Sequence, residues 1–257
     1  MKKDMVICGP VGTCSGYGAH ARDLFHAFYE SGKYNIKVID VRWGDTPRNA
    51  LDENDSKDKI ILDCLSTPNK NQITKQPDIY VDVRIPNEFQ TLGKFNIGIT
   101  AGIETDAVSS AWLEGCNRMD LIIVPSEHSK AGFANCKYDK MQDMPDGKQQ
   151  RVGELKLEKP IEVVFEGAYE DVYKPLRSSE LESEICSFID DKVTEHFAFL
   201  HVGQWIKGGY GEDRKDIGRM IKVFCETFAN KQKAPALILK TSGSNFSLLD
   251  REECIRK

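Results

Sequence analysis

The apolar residues of this chain come in short unbroken runs, and that pattern constrains the fold more than any other feature. The runs at residues 5–8, 36–41, 59–64, 79–83, 96–100 and 121–124 are apolar or β-branched at nearly every position, and a second series follows at 161–165, 197–202 and 236–240. A strand with one face in water alternates; a strand covered on both faces does not, so these runs read as a parallel sheet between helices. Amphipathic stretches fill the gaps. Residues 17–30 set Ala21, Leu24, Phe25 and Phe28 at helical spacing, and residues 216–229 set Ile217, Met220, Ile221, Phe224, Cys225 and Phe228 on one stripe. Residues 106–117 and 126–136 predict further helices, with Asp106 and Ser126 as N-caps. Alternation of this kind predicts an α/β protein built from doubly wound units.

Two regions break the rhythm. Residues 137–158 are polar and carry Pro145-Asp146-Gly147, which reads as a long surface loop. Residues 166–176 contain Gly167 and Pro175 and mark a boundary. Of 257 residues, 1–166 suffice for one complete Rossmann-like domain, 167–195 for an interdomain segment, and 196–257 for part of a second such domain.

Hydrophobic residues at 40% and charged residues at 29% suit a packed core, and a net charge of −5 argues against a protein that coats nucleic acid or anionic membrane. No run approaches the roughly 18 apolar residues of a membrane span, and Met5-Val6-Ile7-Cys8 is too short for a secretory core, so a cytoplasmic location is expected. None of the eight cysteines forms a CxxC pair, and they read as reduced, mostly buried thiols.

The first run leads into Gly9-Pro-Val-Gly12-Thr-Cys-Ser-Gly16-Tyr-Gly18, and a helix follows. Backbone amides at such a strand-to-helix turn suit a diphosphate. The spacing is neither GxGxxG nor GxxxxGK[ST], which disfavours a nicotinamide site and a P-loop. A tight turn with no ligand is the plain alternative. HExxH, GxSxG and DxD are absent, so zincin, α/β-hydrolase and metal-dependent sugar-transferase signatures are missing and no metal ligand set is expected. The five histidines are scattered; only His20 lies beside the glycine turn.

Three stretches carry a resemblance. Residues 97–106 read Ile-Gly-Ile-Thr-Ala-Gly-Ile-Glu104-Thr-Asp106; residues 112–133 run from Trp112 through Asp120-Leu-Ile-Ile-Val-Pro125-Ser126 to Phe133; and residues 163–175 read Val-Val-Phe-Glu-Gly-Ala-Tyr-Glu-Asp-Val-Tyr-Lys-Pro. With Phe199-Leu-His-Val-Gly203 and Arg214-Lys215-Asp216 further on, nearly the whole chain resembles a GT-B glycosyltransferase, similar to family 4. The resemblance implies transfer of a sugar from a nucleotide-sugar, as substrate and without a cofactor, to an acceptor hydroxyl. It also implies retained anomeric configuration, no required metal, and a site between two Rossmann-like domains. The acceptor is left open among carbohydrate, lipid and protein.

By the same resemblance Gly12, Gly16 and Gly18 match the turn near the diphosphate, and Lys215 matches the lysine of a Lys-Gly pair after the first strand of the donor domain. There Asp216 replaces a glycine, and Gln204 stands where an arginine is common, with Arg214 as its substitute. Glu104 and Asp106 enter on the acceptor side, where Asp106 is equally an N-cap. Lys240, at the end of a strand, faces the donor or is simply solvated. The family's Glu-x7-Glu element has no counterpart here, and Asp250 opens what reads as the start of a helix, so a truncated chain with weak or no transfer is expected. Two other functions stay open: a non-catalytic binding module derived from such an enzyme, and another Rossmann-like enzyme that takes a nucleotide on the glycine turn.

Overall fold

The computed structural model describes residues 2–144, 147, 149–170, 172–205, 209–212 and 215–242. Arg214, Asp250 and Gly243 to Lys257 as a whole lie outside the described residues. The chain divides into two compact units, Met1–Gly167 and Ala168–Lys257.

The first unit is an α/β layer structure. Its strands are β1 (Lys3–Gly9), β2 (Tyr34–Asp40), β3 (Ile79–Val83), β4 (Phe95–Ile99) and β5 (Leu121–Val124), and its helices are α1 (Gly16–Glu30), α2 (Ser56–Cys64), α3 (Ser110–Arg118) and α4 (Glu127–Asn135). A hairpin of β6 (Lys137–Asp143) and β7 (Gln149–Lys156) precedes the last strand, β8 (Ile161–Val163). The six-stranded sheet runs β2-β1-β3-β4-β5-β8 with every pair parallel. Beyond β2, Leu65 adds a single parallel bridge to Val38, so the third position of a Rossmann-like order is reduced to one residue. The direction of winding reverses between β1 and β3, and ligands of such sheets bind at the carboxyl ends there.

Alternate residues of the strands feed opposite cores. Met5, Ile7, Val81 and Val83 pack with Ala21, Phe25 and Ile61 of α1 and α2. Ile122, Val124 and Ile161 pack with Leu113, Cys116 and Phe133 of α3 and α4. Burying each large side chain contributes roughly 1.5–3 kcal/mol before entropy is counted. At the end of β3, Asp82 is fully buried and neutralised by a two-pronged contact from Arg84, Nε to Oδ1 at 2.6 Å and Nη2 to Oδ2 at 2.7 Å. The amide of Gln90 donates to the same carboxylate at 2.9 Å, which fixes the segment after β3.

Three expectations are corrected. Residues 59–64 form helix, not strand: Asp55 caps α2 by accepting the amides of Lys57 and Asp58 at 2.8 and 3.0 Å, and Ile61 faces the core. A short apolar run does not separate the two states by period. Residues 137–158 form the β6–β7 hairpin, not an open loop. Among the described residues of that ribbon only Leu155 is well buried, so its ladder rests on backbone pairing, and Asn117 ties its base by bonding the Lys156 carbonyl and the Glu158 amide. Asp106 caps nothing: α3 starts at Ser110 after Ser109. Ser126 does cap α4, accepting the Ser129 amide at 3.1 Å.

The second unit contains α5 (Ser183–Lys192), β9 (Ala198–Gln204), α6 (Ile217–Phe228) and β10 (Ala236–Ser242). β9 and β10 are parallel, in register from Ala198↔Ala236 to Gln204↔Ser242. Phe199 meets Phe224 and Phe228 of α6 at ring centroids 6.1 and 6.0 Å apart, which makes this a strand–helix–strand unit. No helix among the described residues is long and apolar enough to cross a membrane.

Candidate functional site

The glycine turn is held from within. Thr13 Oγ1 bonds the Pro10 carbonyl and shares a proton with Ser15 Oγ, both at 2.8 Å; Ser15 Oγ in turn accepts the Gly18 amide at 3.0 Å. Arg22, one turn into α1, reaches back to the carbonyls of Val11 and Thr13 at 2.7 and 3.0 Å. Asp40, at the end of β2, accepts the Gly12 amide at 3.0 Å and pairs with Arg48.

The three glycines are therefore not alike. A Cβ on Gly12 would lie 2.8 Å from Asp40 Oδ2, and one on Gly18 would lie 2.3 Å from the Thr13 carbonyl. Both permit close packing, and both spend their amides on the protein. Gly16 is exposed, with nothing within 4 Å of its missing Cβ. The amides of Gly16 and Tyr17, the first two of α1, meet no acceptor among the described residues. They carry the positive end of the helix dipole, and the Arg22 guanidinium beneath the turn adds to it.

Beside these amides stands a polar cluster centred on Tyr17. Its hydroxyl shares a hydrogen bond with Thr100 Oγ1 at 2.9 Å and accepts the Ala101 amide at 3.1 Å, which ties α1 to the end of β4. Burial holds the Tyr17 phenol above its ordinary pKa; the bonds from Thr100 and Ala101 oppose that, and the charges of Glu166 and Glu104 add to it. Glu104, in the exposed loop after β4, and Glu166, after β8, thus both lie within electrostatic reach of Tyr17. His20, one helical turn beyond, sets Nδ1 3.5 Å from Glu166 Oε1. Asp106 is exposed on the same loop as Glu104. Gly102, at φ +79°, lets that loop turn against Ser129, whose hydroxyl bonds the Ala101 carbonyl at 3.0 Å.

In the second unit Lys215 is exposed just before α6, and Asp216 after it is left-handed, φ +46°, a conformation that glycine adopts without strain. Its carboxylate holds the turn by accepting the Gly211 amide at 2.8 Å and Arg219 Nε at 2.6 Å. Lys240 is exposed but does not end its strand, which runs on to Ser242. His201 Nε2 and Thr241 Oγ1 are buried without a hydrogen-bond partner among the described residues. His201 leans toward the carboxyl end of β9: its Nε2 lies 3.1 Å from where a Cβ on Gly203 would be.

Within the first unit Glu104 lies within electrostatic reach of Tyr17, the residue after Gly16, and the structure adds Tyr17, Thr100, His20 and Glu166, which residue patterns did not assign. Lys215 and Lys240 belong to the second unit. No group of three His, Cys, Asp or Glu side chains among the described residues is arranged to hold a metal ion. A cavity of about 320 Å3 lies at the opposite, amino-terminal edge of the sheet near Asp4, Lys37 and Lys75, and touches none of the residues above. No family model matches the chain, and no curated protein or solved structure is significantly similar to it.

Proposed function

We propose that this chain is a GT-B-like, metal-independent, retaining glycosyltransferase, or the part of one that carries its acceptor domain. One observation carries the reading: open amides at Gly16 and Tyr17 begin α1, and the carboxylates of Glu104 and Glu166 lie within electrostatic reach of the Tyr17 side chain. Glycosyl transfer makes that pair of demands. As the bond from the sugar's anomeric carbon to the diphosphate breaks, negative charge grows on phosphate oxygen and positive charge on the sugar ring. Fixed amides stabilise the first and carboxylates the second, and both act most strongly in the transition state. The acceptor hydroxyl forms the new bond to the anomeric carbon and gives its proton to the departing nucleoside diphosphate.

In this reading Glu104 and Glu166 orient the acceptor and face the sugar ring, and His20 positions Glu166. Lys215 keeps its expected role as a cation of a donor-binding second unit, in which His201 Nε2 and Thr241 Oγ1, without a hydrogen-bond partner among the described residues, are polar groups for a donor. Lys240 has no contact among the described residues that supports a donor role, and Arg214 lies outside them.

The non-catalytic binding module is favoured by one feature, that the Gly12 and Gly18 amides and the turn's carbonyls are consumed internally. A nicotinamide site is disfavoured by Asp40. The acidic residue that would take the ribose is already bonded to Gly12 and Arg48.

The test is incubation with UDP-, GDP- and ADP-sugars, with nucleoside diphosphate release as the readout. Release from at least one donor, lost in Glu104→Gln and in Lys215→Ala, supports the reading. Neither release nor binding of any donor overturns it.

A further inference from the structure

The Tyr17 ring also has an aromatic neighbour. It lies against Trp43 with centroids 4.3 Å apart and planes 31° from parallel. Trp43 follows β2, and its position is fixed three times over. Thr46 N closes a turn onto the Trp43 carbonyl at 3.1 Å, Cys14 N bonds the Pro47 carbonyl at 3.3 Å, and Ala50 N bonds the Gly12 carbonyl at 3.1 Å. The loop that carries Trp43 is therefore laced to the glycine turn. The indole itself is half-buried, with one face on Tyr17, and its neighbours Arg42, Gly44 and Asp45 are exposed.

An aromatic plane beside hydrogen-bonding groups suits a ligand with an apolar face and a polar rim. A pyranose ring has that form: axial C–H bonds make its faces apolar, and its hydroxyls lie around the edge. Glu104 and Glu166 lie within electrostatic reach of Tyr17, His20 pairs with Glu166, and all three can bond hydroxyls. A long alkyl chain needs an extended apolar groove, which the exposed, polar neighbours of Trp43 do not form.

We propose that Trp43, braced by Tyr17, is the shelf on which the acceptor stacks, and that the acceptor presents a neutral sugar ring there. This rests on the glycosyl-transfer reading. It narrows the acceptor to a carbohydrate terminus and makes Trp43 a specificity-determining residue.

The test is titration of the 15N-labelled chain with methyl glucoside, galactoside, mannoside and N-acetylglucosaminide, with UDP and a short-chain alkyl phosphocholine as the contrasting arms. The Trp43 indole signal is assigned from Trp43→Phe. The expected result is movement of the Trp43 indole and Tyr17 amide signals with at least one glycoside. Trp43→Ala then weakens that binding about tenfold and Trp43→Phe by less than about threefold. Movement with UDP or the alkyl phosphocholine only, or equal glycoside binding by Trp43→Ala, overturns the proposal. Glycoside binding at Trp43 without any nucleotide-sugar binding keeps the shelf and removes the transferase reading. Turnover that Trp43→Ala leaves unchanged removes the shelf and keeps the transferase reading.

Discussion

Asp40 Oδ1 accepts the amide of Gly12 at 3.0 Å, so the end of β2 and the start of the glycine turn form one hydrogen-bonded piece. Gly12 is buried, and its amide has nowhere else to go. Asp40→Ala strands that donor and costs about 1–3 kcal/mol, whereas Asp40→Asn keeps an acceptor and costs less. The urea midpoint reads the difference at constant slope. An unchanged midpoint in Asp40→Ala would show that the turn does not depend on this bond.

Acid weakens the fold in two stages. Burial lowers the pKa of His26 from 6.5, against the raising effect of Glu30. Above pH 6.5 the ring is neutral folded or unfolded. Below it the unfolded chain takes up the proton first, so stability falls as pH drops through the folded value. The carboxyl groups of Asp4, Asp55 and Asp78 are lowered from 3.8, chiefly by Lys75, by the amides of Asp58 and Lys57, and by Lys94 respectively. Their contribution is complete above pH 3.8 and is lost as pH falls through their folded values. Thermal midpoints between pH 8 and 3 should show a shallow loss starting near 6.5, absent in His26→Gln, and a steeper one below about 4. Salt should blunt the part from Asp4 and Asp78 more than that from Asp55, whose partners are amides.

The cysteines sort by access. Cys14 and Cys225 are exposed, while Cys8, Cys116 and Cys136 are buried. Burial pushes the thiols of Cys8 and Cys116 up to about 11 and about 12. A disulfide reagent should therefore label Cys14 and Cys225 in the native protein and reach the three buried thiols only on unfolding. Cys14 sits in the glycine turn, so a bound nucleoside diphosphate should slow its labelling and leave Cys225 unaffected. Peptide mapping after timed labelling checks both; rapid native labelling of Cys116 would contradict the packing of α3.

The sequence reveals best what is buried on both faces. The runs that became β1, β3, β4 and β5 are continuous because helices or loops cover both sides of them. Residues 59–64 have the same texture, and only the Asp55 cap distinguishes them as helix. The β6–β7 hairpin is illegible because its strands are mostly exposed and polar, so no periodicity marks them. The site divides in the same way. A glycine turn ahead of a helix is a local pattern, and it points to Gly16. The bonds that give Gly12 and Tyr17 their roles span 28 and 83 residues, and no local pattern carries them.

The most direct test of the account is backbone amide mapping of the 15N-labelled chain with UDP-, GDP- and ADP-sugars. The account predicts that one of these donors shifts the amides of Gly16 and Tyr17 strongly. The Gly12 and Gly18 amides, already bonded to Asp40 and Ser15, should shift little, and Glu104→Gln should leave binding intact while abolishing sugar transfer. Saturating concentrations of every donor that leave Gly16 and Tyr17 unmoved would contradict it.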